Sequence, residues 1–261
     1  MLKSANLLRI PGPTPIPPSV NRAMMQPMIG HRSEEAKELF QRVKEKVKPV
    51  FGTNEDVLIL TGSGTSGLEA AVVNTTKAGD DVLVIVTGNF GERFAQICET
   101  YELNVHRLEV EWGKAADPED VKAYLTDNPN IKAVFVTACE TSTGVLNPIG
   151  DISQAIRETS DALIIVDGVS SVGGAETRMD DWGVDVYVSG SQKALMLPPG
   201  LCFLAVSKRA WNVIHANDRP RFYLDLRKYE KDAAPYTPAL SLFRGLDEAT
   251  NLIAEEGLEQ V

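Results

Sequence analysis

Residues 57–70, Val57-Leu58-Ile59-Leu60-Thr61-Gly62-Ser63-Gly64-Thr65-Ser66-Gly67-Leu68-Glu69-Ala70, lead from an apolar run through a glycine-rich turn into a helical pattern. The first four residues are all apolar, which is typical of a strand covered on both faces. Apolar runs and helical patterns continue to alternate along the chain. The other predicted strands are Val82–Val86, Val105–Val110, Ala133–Thr137, Leu163–Val166, Val184–Val188 and Leu201–Val206. This order predicts an α/β fold, with a mostly parallel seven-strand sheet covered by helices on both faces.

The sequence predicts an N-terminal arm followed by one large domain with helices between its strands. Pro11–Pro18 is rich in proline and predicts an extended N-terminal arm over residues 1–20. Ser33–Lys48 is predicted to be a helix with Ser33 as its N-cap. Residues 21–238 form the predicted large domain, and a last helix is predicted over Ser241–Gln260. The helices predicted between strands include Ser66–Lys77, Gly91–Tyr101, Pro118–Leu125 and Asp151–Glu158.

Composition limits the class of partner. The chain has 261 residues and a formal net charge of -10, which argues against nucleic acid or an anionic membrane as its main partner. Its three cysteines, Cys98, Cys139 and Cys202, are far apart and match no zinc spacing. The first residues are too polar for a secretory signal, and no apolar run approaches the length of a membrane span. A cytoplasmic location is therefore predicted.

In parallel sheets, ligands bind at the carboxyl ends of the strands. The first strand ends in Gly62–Gly67, where amides, hydroxyls and a helix N-terminus form a cradle suited to a phosphate. A tight strand-to-helix turn is the alternative interpretation. The segment also matches G-x-G-x-x-G, but a dinucleotide site needs an acid at the end of the second strand, and none occurs before Glu92. Phe90 stands there instead, either to stack on a flat ring or to pack in the core.

Three further strand ends carry polar groups. The fourth strand runs into Cys139–Gly144, a hydroxyl-rich loop that is also ordinary turn chemistry. Asp167 directly follows the apolar fifth strand, where a carboxylate needs a cationic partner, and no second ligand at metal-site spacing accompanies it. Lys193 follows the sixth strand in a small polar loop. With the glycine-rich turn and Phe90, these groups match the phosphate, flat ring, phenolic oxygen, ring nitrogen and aldehyde of pyridoxal 5'-phosphate (PLP).

The chain resembles the class V, fold-type I PLP aminotransferases, specifically the alanine-glyoxylate and serine-pyruvate (serine-glyoxylate) group. The similarity runs from Pro11-Gly12-Pro13-Thr14 to the final helix. It implies the fold-type I large domain for residues 21–238 and the start of a small C-terminal domain for residues 239–261. It also implies a truncated chain, without the arginine that binds the substrate carboxylate in relatives. The most specific motifs are Gly62–Ala70, Glu140–Val145, Val166–Ser171 and Ser189–Ala194.

The resemblance implies that five residues contact the phosphate, one face of the ring, and its phenolic oxygen or edge. Ser63, Gly64 and Thr65 would bind the phosphate, and some relatives have histidine in place of Thr65. Phe90 would stack on the ring, where relatives carry tryptophan or another aromatic residue. Thr141 would approach the phenolic oxygen or the ring edge.

Four more residues are implied around the reacting centre. Asp167 would pair with the pyridinium nitrogen, and Val169 would pack on the ring face opposite Phe90. Gln192 would contact the cofactor beside Lys193, which would carry it as a Schiff base. Asp167 and Lys193 are the implied catalytic residues, because the ring must accept electrons and the freed lysine must move a proton.

The implied function is transamination of a small L-amino acid, alanine or serine, to a 2-oxo acid such as glyoxylate or pyruvate. It would follow a ping-pong mechanism through a Lys193 aldimine. The implied assembly is a homodimer with the cofactor site near the interface, where Thr237 reaches the neighbour's phosphate. Relatives have a tyrosine at the position of Ala234, and the resemblance implies that Tyr236 would take its place.

Two alternatives to this function stay open. The first is a truncated, catalytically impaired relative that binds the cofactor. The second is another class V PLP enzyme of the lyase or desulfurase type, which shares Asp167 and Lys193. That type requires a catalytic cysteine in a later loop, and none follows Cys202 in this sequence.

Overall fold

The described part of the chain, residues 8–261 of a computed structural model, alternates between strands and helices. Its helices are α1 (Pro18–Met24), α2 (Glu34–Phe51), α3 (Gly64–Thr75), α4 (Asn89–Thr100), α5 (Pro118–Asp127), α6 (Ile149–Thr159), α7 (Met179–Trp182), α8 (Lys208–Ala216), α9 (Leu226–Lys231) and α10 (Leu240–Glu256). Its strands are β1 (Asp56–Gly62), β2 (Asp81–Val86), β3 (Asn104–Glu109), β4 (Ala133–Thr137), β5 (Cys139–Glu140), β6 (Val145–Leu146), β7 (Leu163–Asp167), β8 (Val186–Gly190) and β9 (Gly200–Val206).

Seven strands form one sheet in the order β1-β9-β8-β7-β4-β2-β3. Strand β9 pairs antiparallel with both of its neighbours, and the other pairs are parallel. The carboxyl ends of β1, β2, β4, β7 and β8 therefore lie along one edge of the sheet. The register at this edge places Thr137 beside Asp167. The predicted mostly parallel seven-strand sheet is confirmed.

Apolar side chains cover both faces of the sheet. Val134 and Ile164 belong to a buried cluster with side chains of α1, α2, α5, α6 and α10. Phe135 and Ile165, the next residue on each strand, belong to a second cluster with side chains of α3, α4, α8 and α9. Successive side chains of a strand point to opposite faces, so the apolar runs read from the sequence fill both clusters. The prediction of helices on both faces is confirmed.

The strand at the sheet edge and the hydroxyl-rich segment differ from the sequence prediction. Strand β3 lies at one end of the sheet and is only half-buried or exposed, whereas β1 at the other end is buried at its centre. The segment Cys139–Gly144 is not a simple loop. It begins with β5, which pairs with β6 in a two-stranded hairpin, so that the backbone of Glu140 is fixed by the ladder.

The predicted arm, residues 1–20, is only partly described, since residues 1–7 lie outside the described range. Residues 8–17 form neither helix nor strand, whereas α1 begins at Pro18. Proline is favoured at the first position of a helix, where its missing N–H has no partner to lose, so the last residues of the predicted arm are helical. The division into an arm, residues 21–238 and residues 239–261 stays a prediction.

The last helix packs against the large domain. The rings of Phe243 in α10 and Phe40 in α2 meet edge to face at 4.8 Å. Arg42 also donates to both carboxylate oxygens of Asp247, at 2.8 to 3.1 Å. None of the helices found in residues 8–261 has the length and apolar character needed to cross a membrane.

Candidate active site

One cavity of about 290 Å³ opens at the carboxyl edge of the sheet. Nine of the ten residues predicted for the cofactor site line it: Ser63, Gly64, Thr65, Phe90, Thr141, Asp167, Val169, Gln192 and Lys193. They come from segments as far apart as β1 and the loop after β8. The fold therefore gathers these residues at one place.

The N-terminus of α3 forms one wall of this cavity. Helix α3 begins at Gly64, two residues earlier than predicted, and the Ser63 side chain caps it by accepting from the Ser66 amide at 3.3 Å. The first amides of a helix have no intrahelical acceptor, so those of Gly64 and Thr65 are available to an anion. A Cβ on Gly64 would lie 2.6 Å from Cγ2 of Val169, so glycine lets the helix approach that side chain closely.

Asp167 ends β7 at the floor of the cavity and is 3% exposed. Its Oδ1 accepts from the backbone amide of Val169 at 3.0 Å. Burial raises the pKa of Asp167 to about 6, against the lowering effect of the Val169 amide. The charge of Glu140 adds to the rise, and the charges of Arg93 and Lys193 oppose it. A cation placed against this carboxylate would therefore gain a strong interaction.

Lys193 lies half-buried in the loop after β8. Burial lowers the pKa of its amine, and the charges of Cys139 and Asp167 oppose that change. The arm fixes the backbone of this loop. Thr14 donates from its amide to the Gln192 carbonyl at 3.0 Å and from its hydroxyl to the Lys193 carbonyl at 2.8 Å.

The arm also touches the Lys193 side chain. A Cβ on Gly12 would lie 2.6 Å from Cδ and 3.0 Å from Nζ of Lys193. Gly12 and Pro13 both line the cavity, so the arm forms a wall beside the amine. The sequence interpretation placed these residues in an extended arm and gave them no part in the site.

Phe90 lies in the first turn of α4, not in a loop as the sequence interpretation had it. Its backbone amide donates to the Glu140 carboxylate at 3.0 Å, which explains why the helix starts so early. Arg93, one turn further along α4, places its guanidinium carbon 4.8 Å from the centre of the Phe90 ring. Arg93 also lines the cavity, and sequence reasoning missed it. Its spacing of three residues from Phe90 on a helix was the available signal.

Thr141 and Cys139 reach the cavity from the β5–β6 hairpin. The Thr141 hydroxyl lies 2.7 Å from that of Ser170, another lining residue that the sequence interpretation did not select. Burial raises the pKa of the Cys139 thiol, with a further rise from the charge of Glu140. The thiol form is therefore favoured over the thiolate at neutral pH.

The tenth predicted residue, Thr237, does not line the cavity. Thr237 is exposed just before α10. Tyr236 donates to the Phe222 carbonyl at 2.8 Å and stacks on Tyr223 with ring centres 5.0 Å apart. Both residues were assigned to a neighbouring subunit's site, and that assignment stays a prediction.

The residues of the cavity fit PLP. Free helix amides and two hydroxyls match a phosphate, and a buried carboxylate matches a protonated ring nitrogen. The amine of Lys193 opens into the same space, and Phe90 and Val169 supply apolar surface from different segments. The Thr137 hydroxyl, in register beside Asp167, is buried without a hydrogen-bond partner among residues 8–261. Within the same residues, no group of three or more His, Cys, Asp and Glu side chains is arranged to hold a metal ion.

Comparison with known proteins relates this site to a family. The family described as aminotransferase class-V matches residues 8–260. An uncharacterised aminotransferase of Methanocaldococcus jannaschii is 49% identical over 97% of this chain and 67% of its own length. The serine–glyoxylate aminotransferase of Methylorubrum extorquens is 41% identical over 98% of this chain and 67% of its own length.

A solved structure shows the same fold. The ureidoglycine–glyoxylate aminotransferase of Bacillus subtilis superposes with a TM-score of 0.93 at 33% identity, covering 99% of this chain and 69% of that one. The chain thus spans about two thirds of the length of the relatives that it matches. Aminotransferases act on amino acids and keto acids. The match over residues 8–260 places this chain in the class-V aminotransferase family, whose members are PLP enzymes.

Proposed function

We propose that this chain binds PLP in the cavity at the sheet edge and transfers the amino group of L-serine or L-alanine to a 2-oxo acid such as glyoxylate or pyruvate. One observation carries the proposal. Asp167, Lys193 and the N-terminus of α3, which belong to three separate segments, line the same cavity. They would contact the ring nitrogen, the aldehyde carbon and the phosphate of PLP respectively, and so would orient it in the cavity.

The N-terminus of α3 would bind the phosphate. The backbone amides of Gly64 and Thr65 and the hydroxyls of Ser63 and Thr65 lie at the positive end of this helix. Phe90 and Val169 would pack against the two faces of the ring, and Thr141 would approach its phenolic oxygen. These contacts would fix the position of the ring relative to the sheet.

Asp167 would bind the ring nitrogen and keep a proton on it. The raised pKa of this buried carboxylate means that it is costly to ionise without a cation beside it. A protonated nitrogen at this place offsets that cost, so ion pairing favours both charged groups. When bound in this way, PLP supplies an electron sink for the negative charge left on the substrate Cα.

Lys193 would hold the cofactor covalently and then act as the base. Its half-buried amine has a lowered pKa, which favours the neutral form that a nucleophile or a base needs. Once substrate has displaced it, Lys193 Nζ would take the proton from the substrate Cα and deliver it to the C4' carbon. Gln192, the preceding residue in the cavity wall, would contact the cofactor beside it.

The names of two relatives support the choice of substrates. The Methylorubrum extorquens relative is a serine–glyoxylate aminotransferase, and the Bacillus subtilis structure is a ureidoglycine–glyoxylate aminotransferase. Both names include glyoxylate, whereas the amino donors differ. Glyoxylate is therefore the acceptor to test first, with L-serine and L-alanine as donors.

We also propose that two copies of the chain associate near the cofactor sites. Thr237 is exposed and lies outside its own chain's cavity, which suits a contact with the cavity of a second copy. Light scattering during size-exclusion chromatography should give twice the mass of one chain. A cytoplasmic location stays a prediction from the sequence.

PLP titration of the purified chain tests the proposal. We expect a visible absorption band on binding, its loss in Lys193→Ala, and a change of the band on addition of L-serine or L-alanine. Initial rates with glyoxylate should give parallel double-reciprocal lines, and intersecting lines would contradict a ping-pong order. Binding of PLP without any response to amino acids would favour the cofactor-binding relative. Sulfide or ammonia release from the amino acid would favour the desulfurase or lyase alternative.

A further inference from the structure

Glu140 is a buried carboxylate beside the cavity to which the proposed function gives no role. It ends β5 and is 0% exposed. Its Oε2 accepts from the backbone amides of Phe90 and Gly91, each at 3.0 Å. Its Oε1 accepts from the amide of Ser142 at 3.1 Å and from the Ser142 hydroxyl at 2.6 Å. Both oxygens are therefore fully used.

These bonds supply the cap that α4 lacks in its own sequence. The residue before the helix is Gly88, which has no side chain to accept from the first amides. A carboxylate from a different element takes that place, where the positive end of the helix stabilises its charge. A Cβ on Gly88 would lie 2.6 Å from Cγ of Glu140, so glycine leaves room for the carboxylate.

Glu140 also joins two walls of the cavity. Phe90 stands on α4, and Thr141 directly follows Glu140 on the hairpin. The Ser142 hydroxyl adds a second link, because it accepts from the Asn89 amide at 3.0 Å while donating to Glu140. The distance between the proposed stacking ring and the proposed ring-edge hydroxyl thus depends on Glu140 and on the Ser142 hydroxyl bonded to it.

We propose that Glu140 is a positioning residue for the PLP ring, which fixes Phe90 against one face and Thr141 at the edge. The inference rests on the proposed function, since it concerns the same cavity. A role through position differs from a role through charge. The negative charge of Glu140 raises the pKa of Asp167 and also attracts a cationic ring nitrogen, so the two roles are separated by a variant that keeps the charge. Loss of position predicts weaker binding even where the charge is kept.

The test compares Glu140→Gln with Asp185→Asn in the full chain. Glutamine has one carbonyl oxygen, so its NH2 group must face either the amides of Phe90 and Gly91 or the donors of Ser142. Asp185 is a matched control, because it is 2% exposed and accepts from Arg157, from the Ile164 amide and from the Ser207 hydroxyl. Asp185 stands just before β8, at the opposite edge of the sheet from the cavity.

We expect both variants to lose thermal stability and only Glu140→Gln to change the site. In Glu140→Gln, the amides of Phe90 and Gly91 should exchange hydrogen faster, measured by mass spectrometry on the PLP-free chain. The Kd for PLP, measured by fluorescence titration, should rise about tenfold or more. Asp185→Asn should keep the wild-type Kd and the wild-type exchange at these amides.

A second variant, Glu140→Asp, keeps the charge and shortens the side chain. The positioning role predicts a raised Kd for this variant also, which gives the same comparison where Glu140→Gln does not fold. Wild-type Kd in the Glu140 variants, with normal exchange at Phe90, would overturn the inference alone. Absence of PLP binding by the wild-type chain would overturn the proposed function, and the inference with it.

Discussion

Replacing Asp167 with asparagine should stabilise the PLP-free chain while weakening its hold on PLP. Burial raises the pKa of Asp167 from 3.8 to about 6. Between about pH 4 and pH 6 the folded chain therefore binds more protons than the unfolded chain at this group, so its stability falls as the pH rises. Well above pH 6 the full cost of ionising this buried carboxylate is present, and the difference in pKa corresponds to about 3 kcal/mol.

Asparagine has nearly the same shape as aspartate, carries no charge and keeps an oxygen for the Val169 amide. The Asp167→Asn variant should then gain up to about 3 kcal/mol in its free energy of unfolding at pH 8, and little near pH 4. Urea denaturation of the PLP-free chain at both pH values measures this. Asp185→Asn is the control. It removes the charge that pairs with Arg157, so this variant should lose stability. An Asp167→Asn chain that is equally or less stable at pH 8 would refute the reasoning.

The remaining predictions concern the arm and α4. Gly12→Ala should change the free energy of unfolding by less than about 1 kcal/mol, because the three atoms nearest its Cβ belong to the flexible end of Lys193. The displaced amine should nevertheless attach PLP about 10- to 100-fold more slowly in stopped-flow absorbance, and wild-type rates would show that the arm does not constrain it. Arg93→Gln should raise the pKa of Asp167, since the charge of Arg93 lowers it. The acid limit of PLP binding should move to higher pH, least at high salt, and an unmoved limit would contradict this coupling.

The sequence was sufficient to predict the main architecture and most of the cavity wall. Strands such as β4 and β7 are apolar on both faces, a pattern that specifies a two-sided sheet. Their carboxyl ends meet at one edge, so the sequence alone predicted that Asp167 and Thr141 lie at the same edge of the sheet. The reversed direction of β9 could not be predicted, because an apolar run has no signal for its direction.

The missed residues depend on contacts between distant segments. Gly12 is at the start of the chain, far from Lys193 in sequence, and no periodicity in the sequence links the two residues. Glu140 was visible in a motif, but its bonds to the start of α4 appear only when the hairpin and the helix are packed together. The position of Phe90 within a helix follows from the same bonds. Sequence patterns specify elements, whereas caps and walls supplied by another element require the tertiary structure.

The central claim is that Lys193 is the residue to which PLP attaches. Incubation with PLP, reduction with borohydride and peptide mass mapping test it directly. The account predicts one modified peptide, carrying the cofactor on Lys193, and no modification at that site in Lys193→Ala. Specific modification of a different lysine, or no modification of the wild-type chain, would contradict the account.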